Sequence, residues 1–170
     1  GGYLSVDQAE PTTLFGLAGS LFLAISGSTV LNMVFDRDID GCMSRTADRA
    51  LPSGAIAPRT ALAAGLALAM SGLGWALTLS PRYALVVAAG LFFDVVVYTR
   101  WLKRRTPWSI LWGGISGGMP ILAGRVLGLG QVDAIGLLLA LGVLTWIPAH
   151  IMPLTLKYAD DYERAGVPTF

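Results

Sequence analysis

The chain has 170 residues, of which 54% are hydrophobic and only 14% charged, and its net charge is +1. Mean hydropathy is +0.63. A soluble domain carries roughly a quarter charged residues, so the composition excludes an ordinary water-soluble fold. It gives no reason to expect a nucleic-acid partner. The single Cys42 excludes an internal disulfide and is not a metal site by itself.

The N-terminal "GGYLSV" lacks the basic region of a signal peptide. Five apolar runs follow: Pro11–Phe35, Thr60–Pro81, Tyr83–Thr99, Thr106–Gly124 and Ala134–Leu156. Each approaches the ~20 residues a helix needs to cross the hydrocarbon core. Tyr83–Thr99 is interrupted only by Asp94. Lipid cannot satisfy a free backbone, so the expectation is an all-α, polytopic transmembrane bundle forming one domain over residues 1–170. "LSPRY" and "GLGQVD" read as turns. "AAGLALAMSGLG" and "GGISGG" supply small residues that let helices approach closely. The loop Asp36–Arg59 is too long for a tight turn, and loops of that kind are often functional.

Charge is distributed unevenly. Arg37, Arg45, Arg49 and Arg59 lie in or beside the first loop, and Arg100, Lys103, Arg104 and Arg105 in the second basic segment. Lys157 and Arg164 follow the last run. Alternating spans bring all three segments to one membrane face, which the positive-inside rule makes cytoplasmic or its topological equivalent.

That face also carries the acids. In "NMVFDRDID", Asn32, Asp36 and Asp40 recur every four residues and project from one side of a helix, while Asp38 points elsewhere. Asp160 and Asp161 stand after the last run, a turn beyond Lys157. Hard oxygen ligands suit Mg²⁺, which binds through a few carboxylates plus substrate phosphates. The alternative is that these acids simply sit in water at the span ends. Spacing and topology reach a metal–diphosphate site at a membrane surface, and no further.

"NMVFDRDID" resembles the NxxxDxxxD motif of the UbiA-type intramembrane prenyltransferases. "LNMVFDRDIDGCMSRTADRALPSGAIAPRTAL", "VYTRWLKRRTPWSILWGGISGGMPILAG" and "WIPAHIMPLTLKYADDYERAGVP" resemble the haem-farnesylating branch, the haem O synthases, and cover over half the chain in order. The resemblance implies a nine-helix fold around a central cavity. This chain would supply helices two to six of it, as a fragment without the first helix and the last three. It implies transfer of the farnesyl group of farnesyl diphosphate to a vinyl group of haem B, giving haem O.

The site residues implied are Asn32, Asp36, Asp40, Asp160 and Asp161 for Mg²⁺, with Asp36, Asp40 and Asp161 catalytic. Asn32, Arg45, Arg49, Tyr98, Lys103, Arg104, His150 and Lys157 are the implied substrate contacts. Arg and Lys clamp phosphates. Tyr98 or Phe35 would face an allylic cation, and His150 suits contact with haem iron. Partners implied are farnesyl diphosphate, haem B, membrane lipid, and later haem-biosynthesis or haem–copper oxidase assembly proteins. Two alternatives stay open. One is a relative acting on an aromatic quinone precursor or a glycerol-lipid acceptor; the other is a cation-binding transporter or scaffold without chemistry. The sequence assigns no role to Asp94, which stands where the family has an aromatic, or to Arg125.

Overall fold

The apolar runs fold as helices in a computed structural model that describes residues 1–6 and 10–169. A 3₁₀ turn, Gly2–Ser5, is followed by α1 (Pro11–Phe35), α2 (Arg37–Cys42), α3 (Pro58–Leu79) and α4 (Pro81–Leu91). α4 continues as a π-helix over Phe92–Leu102. Then come α5 (Ser109–Leu129), α6 (Ala134–Lys157) and the short α7 (Ala159–Arg164). No strand occurs among the described residues. α1, α3, α4 with its π extension, α5 and α6 are long and apolar enough to span a membrane. The molecule is therefore an all-α integral membrane protein.

The expected run boundaries move where charge had marked them. Pro11, Pro58 and Pro81 each occupy the first turn of a span, where a missing N–H costs nothing. α3 therefore starts before Arg59. α5 continues past Gly124 because Arg125 is neutralised there: its Nε and second guanidinium nitrogen donate to Asp133 at 2.7 Å. Its remaining nitrogen donates to the Ser5 hydroxyl at 2.7 Å. This cluster joins the 3₁₀ turn, α5 and the α5–α6 loop at the end of the bundle away from the acids. α5 stops at Gly130, whose φ of +73° is a left-handed C-terminal cap. α6 runs unbroken through Pro148 and Pro153.

α1 packs most extensively on α3, and α5 lies between α4 and α6. Small residues set the α1–α3 distance. A Cβ at Gly27 would press on the backbone of Gly65 and Ala69, and one at Gly72 on the backbone of Ser20 and Ala24. Without a hydrophobic drive between helices in lipid, this close contact is what holds them. Between α1 and α4, the Ser20 and Tyr83 hydroxyls share a buried hydrogen bond of 2.8 Å. Gly72→Val is therefore expected to force α1 from α3 and cost about 1–3 kcal/mol. Thermal unfolding in detergent checks this; an unchanged midpoint would mean that the backbones do not touch there.

The outer faces of the spans are apolar and open, with Phe15, Phe22, Leu85 and Leu138 all above 60% exposed. α6 buries only Gly136 and Thr155. At the other extreme, the ends carrying the acids fold over one another, and the candidate site lies there.

Candidate functional site

Asn32, Asp36 and Asp40 run from the last turn of α1 into α2. The helix changes direction at Asp36, yet the spacing survives: Asp36 N–H donates to the Asn32 carbonyl and Asp40 N–H to the Asp36 carbonyl, both at 2.8 Å. Asp36 and Asp40 are buried, each 7% exposed, and Asp38 faces outward. The pattern thus sorts two inward acids from one outward acid.

Each acid has its own cation. Lys103 Nζ donates to Asp36 Oδ2, and Arg49 donates to Asp40 Oδ2 at 3.0 Å. Arg104 grips Asp38 with two nitrogens, at 2.6 and 2.7 Å, and also donates to the Phe35 carbonyl at 2.8 Å. Arg49 reaches Asp40 because the first loop turns back beneath it. Buried Thr46 donates from its hydroxyl to the Asp40 carbonyl at 2.8 Å, and Arg49 N–H bonds the Thr46 carbonyl.

Burial pushes the Asp36 carboxyl up from its ordinary value, while Lys103 pulls it back. Burial alone would lower Lys103, but the oxygens of Tyr98, Asp36 and Asp40 outweigh it and hold the ammonium above its usual value. Arg104 hydrogen bonds hold Asp38 at about 2. Because that pair is exposed, it contributes little to stability.

One oxygen of this cluster is unspent. Asp36 Oδ1 is buried and has no hydrogen-bond partner. An unpaired buried carboxylate oxygen is costly, and it is the kind of group that a cation or a substrate donor satisfies. No three His, Cys, Asp or Glu side chains among the described residues are grouped to hold a metal by themselves. The donor set fits an ion such as Mg²⁺, which takes its other ligands from phosphate and water.

The second acidic segment, with Asp160 and Asp161, opens α7. Asp161 is 5% exposed and accepts from the Ser44 N–H at 3.1 Å, the Ser44 hydroxyl at 2.6 Å, and Arg164. The Ser44 contacts, with Arg164, hold its carboxyl below the ordinary range. Asp160 is exposed. Beneath this latch, Ile39, Met43 and Val167 form an apolar cluster with Tyr162 and Ala165. Arg45 and Lys157 both lie over the Tyr158 ring, 5.6 and 5.3 Å from its centroid. The first loop is thereby clasped to α7.

The π-helix explains how the third span meets the motif. Its i→i+5 bonding, continued by Lys103 N–H to the Tyr98 carbonyl at 2.9 Å, returns residues five apart to nearly one face. In an α-helix they would be about 140° apart. Asp94 and Thr99 therefore both reach Asn32. Thr99 donates to Asn32 Oδ1 at 2.9 Å, and Asn32 Nδ2 donates to Asp94 Oδ2 at 2.8 Å. Ser28 also donates to Asp94 Oδ2, and Ser116 to Oδ1 at 3.3 Å.

Asp94 lines two cavities. The larger, about 240 Å³, is mostly apolar, with Leu21, Ile25, Leu91 and Pro120 among its walls. The smaller, about 130 Å³, includes Tyr98, Ile147 and Ile151. Tyr98 also lies under Lys103 Nζ, 5.9 Å from its ring centroid, and Phe35 is covered by Arg100.

Of the residues expected from sequence, the structure gathers Asn32, Asp36, Asp40, Arg49, Tyr98, Lys103 and Arg104 at one place. Arg45, Lys157 and Asp161 belong to the adjoining clasp. His150 stands apart, exposed on α6 and stacked on Trp146 with ring centroids 4.8 Å apart. Asp94, Thr99, Ser28, Ser116 and Ser44 were not anticipated as parts of the site. The available signal was the five-residue step between Asp94 and Thr99 inside an apolar span.

The profile of the UbiA prenyltransferase family matches residues 2–170. Among similar proteins, a protoheme IX farnesyltransferase of Korarchaeum cryptofilum is 43% identical over 98% of this chain and 56% of its own length. That of Pyrobaculum neutrophilum is 48% identical over 91% of this chain and 56% of its own. That of Hyperthermus butylicus is 46% identical over 86% of this chain and 50% of its own. The chain thus spans about half the length of these curated relatives. No solved structure matches it.

Proposed function

Since the chain belongs to the UbiA prenyltransferase family, we propose that its protein transfers the farnesyl group of farnesyl diphosphate to a vinyl group of haem B, with diphosphate leaving and water supplying the hydroxyl, to give haem O. The observation that carries the reading is the buried Asp36 with one unpartnered oxygen, set beside Asp40, Lys103 and Arg49 on a shared face. The haem acceptor is supported by the likeness to protoheme IX farnesyltransferases 43–48% identical to this chain.

Asp36 and Asp40 are the side chains that would hold Mg²⁺, with the remaining capacity of the Asn32 amide. Bound there, the ion would supply positive charge to offset that of the diphosphate leaving group. Lys103 and Arg49 already stand against the two acids and exchange part of that contact for phosphate oxygens. Arg49 does so with the planar fork that suits phosphate. Arg45, exposed on the clasp, extends the positive rim. Arg104 is held by Asp38 and the Phe35 carbonyl, so it fixes the π-helix end against α1 and contributes field more than contact. Asp161 secures the first loop through Ser44, and Asp160 presents a carboxylate to solvent beside it. Tyr98, at the smaller cavity, offers a ring face to a developing allylic cation. His150 contacts the haem.

The acidic end of the bundle is assigned to the cytoplasmic face or its equivalent, a reading supported by the basic segments around it. The test is product analysis: the full-length protein, given haem B, farnesyl diphosphate and Mg²⁺ in detergent, is expected to yield haem O by mass spectrometry. Release of diphosphate with a prenylated quinone precursor or glycerol lipid instead would reassign the acceptor. Absence of diphosphate release with every acceptor would favour a transporter or scaffold.

A further inference from the structure

We propose that Asp94 is a positioning residue of the diphosphate site, fixing the Asn32 amide so that its free hydrogen-bonding capacity is presented to the substrate. The inference rests on the prenyl-diphosphate reading above. An amide offers two N–H donors and an oxygen with two lone pairs. Thr99 occupies one lone pair at 2.9 Å and Asp94 one N–H at 2.8 Å, so one donor and one acceptor remain. The two anchors grip opposite ends of the amide and define which side is nitrogen and which is oxygen. The Asp94 carboxylate can only accept, so it sets the nitrogen side; the Thr99 hydroxyl, which can donate or accept, follows that choice and holds the oxygen.

Asp94 is itself held. Ser28 from α1 and Ser116 from α5 donate to its two oxygens, so three spans meet at this carboxylate. The π-helix is the device that makes the arrangement possible. Straightened to α geometry, the segment would turn either Asp94 or Thr99 away from Asn32. π-helical segments are rare and frequently occur at functional sites. The carboxylate also sits in the walls of both cavities, so its geometry links the motif to the apolar interior.

The test measures binding of farnesyl thiodiphosphate, whose sulfur bridge resists cleavage, to the full-length protein with Mg²⁺ in detergent. Asp94→Ala is expected to weaken binding about tenfold. Asp94→Asn keeps an acceptor for Asn32 and is expected to remain within about twofold of wild type. Asn32→Ala should bind weakly, and adding Asp94→Ala to it should cause no further loss, because the residue through which Asp94 acts has gone. Wild-type binding by Asp94→Ala, an equal loss in Asp94→Asn, or an additive loss in the double variant would each overturn the proposal. If Asp94→Ala does not fold, Asp94→Leu keeps the branched shape of the side chain without an acceptor. It is expected to give the same loss with the same dependence on Asn32, and wild-type affinity in that variant would overturn the proposal equally. Failure of the wild-type protein itself to bind the analogue would instead bring down the diphosphate reading, and this inference with it.

Discussion

Asp36→Asn is expected to lower kcat/KM for farnesyl diphosphate by about 10²–10³-fold, the range seen when a group that stabilises developing charge is removed. The side chain is nearly isosteric, so Lys103 keeps an oxygen to donate to. What disappears is the charge, and with it the value of the unpartnered Oδ1 as a hard ligand. Raising Mg²⁺ should recover part of the loss, because a missing ligand lowers occupancy of the site, and the remainder should persist at saturating Mg²⁺. Asp40→Asn is expected to act in the same direction but less, since Arg49 already occupies Asp40 Oδ2 and is partly open to solvent. Asp36→Asn also leaves Lys103 without a full counter-charge in a buried setting, which destabilises. Size-exclusion and circular dichroism profiles therefore accompany the kinetics. A folded Asp36→Asn with near-normal rate at every Mg²⁺ concentration would remove Asp36 from the metal assignment.

Asp36 also shows how far the sequence could be read. The four-residue spacing of Asn32, Asp36 and Asp40 depends only on helix periodicity, and the face they share needed no knowledge of their neighbours. The convergence of the basic segments followed from alternating spans and charge, and Lys103, Arg104 and Arg49 lie where that argument placed them. Arg125 could not be interpreted because its partner, Asp133, lies in a turn whose path depends on where α5 ends. Asp94 was opaque for another reason. Its meaning depends on a local change from α to π winding, and neither composition nor hydropathy records that change. Reading it as an α-helical residue separates it from Thr99 and hides their common target. Asp161 was legible as an acid on the correct face, but its attachment to Ser44 spans 117 residues of sequence, and no local pattern reports such a contact.

His150→Ala is expected to weaken haem B binding about tenfold or more while changing farnesyl thiodiphosphate affinity by less than about twofold. The separation of effects has a geometric basis. His150 lies seven residues before the end of α6 at Lys157, about 10 Å of helix rise, and the clasp begins at that end. Asp36 is paired with Lys103 and Asp40 with Arg49, and none of these ion pairs involves His150. The imidazole is exposed and lies parallel to the Trp146 ring, with an interplanar angle of 11°. That stack holds the ring plane while leaving its edge, where the nitrogens lie, open to a ligand. A neutral imidazole nitrogen is a good axial ligand for haem iron, so its loss should also shift the Soret band of the bound haem. Trp146→Phe keeps an aromatic face beneath His150 and is expected to retain most of the affinity and the wild-type band. Titrating haem into each variant in detergent, with thiodiphosphate binding measured in parallel, reads both effects. An unchanged band and affinity in His150→Ala would exclude the imidazole as a ligand. Equal weakening of haem and thiodiphosphate would mean that α6 was disturbed as a whole, and the acceptor would then have to be sought along the cavities at Asp94 and Tyr98.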